Sequence, residues 1–141
     1  MEFYYNPCDT ILLPLTSFPS YYTSFILLTP AITGYIVGNY VIGGIFTALA
    51  ISSIFHHRRT YNQVLTSRGK IRLDYVRVID IMLCIAAAAA LIVYFYDRVL
   101  LWVGTAFIVA SYIYAKVKYS MYGHALNHLI VAGIVTALLL T

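Results

Sequence analysis

The chain has 141 residues, 62% of them hydrophobic and only 10% charged, with nine Lys and Arg against five Asp and Glu and a net charge of +4. Its mean hydropathy is +0.83. A soluble domain carries about 25% charged residues, so these values exclude a water-soluble globular domain, and the sparse basic residues do not support a nucleic-acid partner. Runs of roughly 17–25 apolar residues read instead as membrane spans. The expected architecture is all-α: a polytopic transmembrane helix bundle of about five spans, in one domain covering residues 1–141.

Met1 to Ser20 carries Glu2 and Asp9 but no Lys or Arg, so the basic region of a cleavable signal is missing. Pro7, Pro14 and Pro19 interrupt any long helix there, and the segment reads as a tyrosine-rich stretch at the membrane interface. The first span is expected from Tyr21 to Val37, with a kink at Pro30 that neighbouring helices accommodate. After a tight Gly38-Asn39 turn the second runs from Tyr40 to Phe55. A basic loop with Arg58, Arg59, Arg68, Lys70 and Arg72 follows. The third span runs from Asp74 to Tyr96, the fourth from Val99 to Ala115 and the fifth from His124 to Leu140. Asp97-Arg98 and Lys116-Val117-Lys118 mark the turns around the fourth. Gly34 and Gly38, and the alanine run Ala86 to Ala90, have the small side chains that let helices approach closely. Cys8 and Cys84 lack any motif spacing, so neither a disulfide framework nor a thiolate metal site follows.

Charge sets the expected topology. Arg58, Arg59, Arg68, Lys70, Arg72, Arg77, Lys116 and Lys118 fall on one side of this threading, and only Arg98 falls on the other. The positive-inside rule places the first group, with the N-terminus, in the cytoplasm and the C-terminus on the opposite side. The same basic residues suit contact with anionic lipid headgroups.

All four histidines then lie near the cytoplasmic surface: His56 and His57 close the second span, and His124 and His128 open the last. Four residues apart, His124 and His128 sit about 40° from alignment on one helix face and can reach one ion. His56 supplies a third nitrogen, with His57 as the alternative the sequence does not exclude. Three imidazoles and an open position suit catalytic zinc, and ionisable groups inside a membrane are costly enough to be paired and functional. The blander readings are an interfacial histidine pair, a cytoplasmic anchor cluster at His56-His57-Arg58-Arg59, and Asp74 as a helix-start charge. Haem fits less well, because His124 and His128 share one helix face and cannot grip opposite sides of a ring.

Three stretches also resemble a superfamily of seven-helix membrane proteins often called CREST, which groups alkaline ceramidases, progestin and adipoQ receptors and haemolysin III-type proteins. Ser52-Ser53-Ile54-Phe55-His56 is similar to its S-x-x-x-H. Leu73-Asp74-Tyr75 looks like the aspartate opening its third helix. Gly123-His124-Ala125-Leu126-Asn127-His128-Leu129 resembles its H-A-L-W-H-L, with Asn127 at the usual tryptophan. The resemblance implies zinc on His56, His124 and His128, with Asp74 holding the water at the metal and Ser52 polarising a substrate carbonyl. Asp80 competes as the acid, with pairing to Arg77 or Arg72 as its structural reading. The implied function is zinc-dependent hydrolysis of a lipid amide or ester of ceramidase type. The alternative is a receptor-like or structural multi-pass protein whose zinc only ties helices together. With five spans in place of seven, two helices of the usual barrel are absent. The pocket is then open to membrane lipids or closed by a second copy of the chain.

Overall fold

The computed structural model describes residues 2–4, 19–66, 70–72, 75–118 and 121–141. The elements are β1 (Glu2–Tyr4), α1 (Pro19–Ser24), a 3-10 turn (Phe25–Leu27), α2 (Leu28–Ile36), α3 (Tyr40–Thr66), β2 (Lys70–Arg72), α4 (Tyr75–Phe95), α5 (Val99–Lys118) and α6 (Met121–Leu140). The protein is an all-α bundle. Three helical stretches, Tyr40–Asn62, Tyr75–Phe95 and Tyr122–Leu140, are long and apolar enough to cross a membrane, and Val99–Tyr114 is a shorter apolar helix. The first expected span is divided in two.

Pro30 accounts for that division. It has no N–H for the carbonyl of Ile26, and its ring presses on the same turn. The chain tightens into the 3-10 turn there and restarts as α2, with Pro30 in the first turn of the new helix. An N–H in that position has no partner within the helix in any case.

The turn between α2 and α3 follows directly from Gly38 and Asn39. Gly38 has φ +80°, a left-handed conformation that glycine adopts without steric cost. Its N–H donates to the Tyr35 carbonyl at 3.3 Å, and the Asn39 N–H donates to the Gly34 carbonyl at 2.8 Å. These two bonds form a Schellman motif. Asn39 then caps α3, its Oδ1 accepting from the Ile42 N–H at 3.1 Å. Gly38 thus makes the turn, while Gly34 makes the close contact between α2 and α3: a Cβ built there would lie 2.8 Å from the Gly43 nitrogen.

Helix α3 continues eleven residues beyond the expected end at Phe55, to Thr66. Apolarity stops at the histidines, but no proline or glycine follows to stop the helix. At the other end of the site α6 begins at Met121, ahead of His124, and runs through Gly123. β1 pairs antiparallel with β2, Glu2 opposite Arg72 and Tyr4 opposite Lys70. Part of the expected interfacial segment is therefore a strand, and it brings the N-terminus beside the loop between α3 and α4.

The helices pack in the order α4, α3, α1–α2, α6, α5, and α4 touches α5 only slightly although one tight turn joins them. Leu27, Ala31, Ile42, Phe46, Ala87 and Val135 lie in the core. Met82, Ile85 and Val93 of α4, and Trp102 and Phe107 of α5, point outward and are more than half exposed. A soluble monomer rarely exposes so much contiguous apolar surface. A lipid surround removes the conflict. The alanine run contributes little to packing: Ala87 is buried, whereas Ala86, Ala88 and Ala89 face outward.

Candidate metal centre

The site forms where the C-terminal half of α3 meets the start of α6. Along α3, positions 42, 46, 50, 53, 57 and 60 advance by an average of 3.6 residues, one helical row. These are Ile42, Phe46, Ala50, Ser53, His57 and Thr60, and none is more than 2% exposed. The row is apolar at one end and polar at the other. His57 is its deepest ionisable group.

Opposite it, α6 presents His124 and His128 one turn apart. The ring centroids of His57, His124 and His128 form a near-equilateral triangle with sides of 4.9, 5.2 and 4.9 Å. One ligand nitrogen from each lies within 4.8 Å of the others. A tetrahedral zinc with Zn–N bonds of 2.0–2.1 Å holds its nitrogens roughly 3.4 Å apart. Small ring rotations close that difference, and imidazole is a donor suited to zinc, copper, iron or nickel. The triad therefore fits a metal ion.

His56, the residue expected to supply the third nitrogen, is not in this group. Its ring packs edge-on against His57, with centroids 5.0 Å apart. Adjacent residues on a helix point about 100° apart, so His57 faces α6 and His56 lies beside it. Asp74 lies outside the described residues. Ser52 is buried on α3 and points to α4, where its Oγ–H donates to Asp80 Oδ1 at 2.7 Å. The Leu49 carbonyl, 3.1 Å away, is a competing acceptor for the same proton. Among the described residues, Asp80 is the candidate acid that meets Ser52. The Arg77 guanidinium lies close enough to couple electrostatically to both His57 and Asp80. At the edge of the site Arg59 stacks on the Tyr75 ring, 5.1 Å from its centroid, and donates to its hydroxyl at 3.2 Å.

Sequence reasoning missed a set of hydroxyls on the helices that carry and flank the triad, one of which touches it. Thr23 Oγ1 lies 2.9 Å from His128 Nδ1. Ser24 Oγ lies 3.1 Å from Ser53 Oγ, one turn before His57. Ser111 of α5 donates to Asn127 of α6, beside His128. The signal was present as Ser20, Thr23 and Ser24, spaced three and four apart inside an otherwise apolar stretch. Cys84 is a free thiol on an exposed face of α4, and Cys8 lies outside the described residues.

No protein family, curated protein or solved structure among those compared matches the chain.

Proposed function

We propose that the protein is a multi-pass membrane hydrolase that uses one zinc ion to cleave a lipid amide or ester, and that it is a shortened member of the ceramidase-like superfamily its motifs resemble. The convergence of His57, His124 and His128 carries this reading. The histidine end faces the cytoplasm in this proposal, as the clustering of basic residues favours. The β1–β2 pairing supports the N-terminus lying at that same end.

When bound, zinc supplies a Lewis acid and makes a water acidic enough to attack near neutral pH. The chain's own residues hold and orient. The three imidazoles keep a neutral nitrogen each for the ion. The superfamily resemblance assigns the proton-accepting carboxylate to Asp74, and the Ser52 contact favours Asp80. Ser52 has one proton: while it goes to Asp80, Ser52 only accepts, and when Asp80 carries a proton, Ser52 is free to donate to a substrate carbonyl. Lipid reaches the site from the side, because α4 and α5 diverge; a second copy of the chain could cover that opening.

The test is metal content and hydrolysis in detergent-purified protein. Wild type should carry near one zinc per chain, lost in His57→Ala and in the His124→Ala, His128→Ala double variant, and retained in His56→Ala. Ceramides and related lipids are then screened with Asp74→Asn and Asp80→Asn. Collapse of turnover in one of them, with zinc retained, supports catalysis and identifies the acid. Zinc without any turnover would leave the structural-zinc reading, and no zinc in wild type would overturn both.

A further inference from the structure

Thr23 and Ser24 are neighbours on α1, yet they reach different helices. Ser24 Oγ donates to the Ser20 carbonyl at 2.7 Å, which uses its only proton. The 3.1 Å contact with Ser53 is then a bond in which Ser53 donates and Ser24 accepts. Ser20, Ser24 and Ser53 are all buried, so these hydroxyls have no competing water.

Thr23 repeats the pattern. Its Oγ1 lies 3.0 Å from the Pro19 carbonyl, the back-bond a helical threonine commonly makes. With its proton given to Pro19, Thr23 accepts at the 2.9 Å contact with His128, and Nδ1 must carry the hydrogen. The lone pair of His128 is then on Nε2, which is left for an ion shared with His57 and His124. A metal-bound histidine characteristically donates its second N–H to an oxygen, which sets both tautomer and ring orientation.

We infer that Thr23 is a positioning residue for the metal centre: it relays the Pro19 carbonyl to His128, holds the ring as the Nδ1–H tautomer and leaves Nε2 as the ligand atom. This rests on the proposed metal reading. It also explains why α1 is polar at Ser20, Thr23 and Ser24 while the following turn is apolar. One short helix sets the position of both ligand-bearing helices, holding α3 through Ser53, one turn from His57, and α6 through His128 itself.

Two measurements on full-length protein test it. Nitrogen-15 NMR of labelled imidazoles in metal-stripped wild type should find His128 protonated at Nδ1, as it should in Thr23→Ser, which keeps the hydroxyl. Thr23→Val, similar in shape but without an oxygen, should lose that preference. Zinc affinity, measured by chelator competition, should fall by about 10- to 100-fold in Thr23→Val and stay within about threefold in Thr23→Ser, which has the same donor and acceptor capacity. An Nε2–H tautomer in wild type would overturn the assignment of Thr23 whatever the metal result. So would wild-type affinity in Thr23→Val. Wild type that shows the Nδ1–H tautomer but binds no zinc would instead overturn the metal reading on which the role depends. If Thr23→Val fails to fold, the wild-type tautomer still decides.

Discussion

Helices α3 and α4 pack against each other and are opposites. The apolar window of α3 has a mean hydropathy of 1.4 and is 50% buried, whereas that of α4 has 2.5 and is 11% buried. The less hydrophobic helix is the interior one. Ser52, Ser53, His56, His57 and Thr60 are all buried on α3, while α4 has Ala87 as its one fully buried hydrophobic residue among those described. In water this arrangement would be inside out. In lipid it is expected, because hydrocarbon is a good solvent for Ile85 and Val93, and polar groups must find partners within the protein.

The contrast can be broken most severely with two phenylalanines. Phe46 is 0% exposed and Phe107 is 63% exposed. Phe46→Ala should destabilise the bundle by about 3–5 kcal/mol, and Phe107→Ala should stay within about 0.5 kcal/mol, as read from denaturant unfolding in detergent. Equal losses would mean that the outer face is packed by something other than lipid or detergent. Next come two glycines. A Cβ at Gly34 would meet the Gly43 nitrogen at 2.8 Å, whereas one at Gly133 meets nothing within 4 Å. Gly34→Ala should cost about 1–3 kcal/mol through overpacking. Gly133→Ala should be neutral or stabilise by up to about 1 kcal/mol, the helix propensity gained. A loss of stability at Gly34 without one at Gly133, in thermal melts, is the check. The smallest effect sharpens the α3–α4 contact itself: Ser52→Ala, which removes the bond to Asp80, should lower stability by about 1 kcal/mol, with zinc content unchanged.

Much of the architecture was legible in the sequence because long apolar runs have few alternatives. The Gly38-Asn39 turn was equally plain, since one residue supplies the left-handed conformation and the next an N-cap. What the sequence hid was rotation and end-points. His56 and His57 are both histidine, both follow an apolar run, and differ only by 100° around the axis; the row through Phe46, Ala50 and Ser53 selects His57, but only once that row is known to face inward. The end of α3 was missed because helicity outlasts hydrophobicity there. Thr23 and Ser24 were overlooked because hydroxyls in an apolar span usually bond back to their own helix. These do so and also accept a second bond from a neighbour. Asp74, the acid indicated by its Leu-Asp-Tyr setting, lies among residues the structure does not describe, so its place rests on the sequence motif.

The turn at Gly38 and Asn39 has a consequence for motion. Because it satisfies its own carbonyls and caps the next helix, α2 and α3 behave as one stiff hairpin, clasped at Gly34 and Gly43. The ladder of hydrogen bonds is interrupted only upstream, at Phe25–Leu27, where Pro30 withholds a donor. A bend in the first segment would therefore fall at that 3-10 turn, with α1 as the arm beyond it. Thr23 and Ser24 ride on that arm, so a tilt of a few degrees would loosen the grip on His128 and on α3 together. The contacts that hold both histidine-bearing helices thus lie on one side of a single joint.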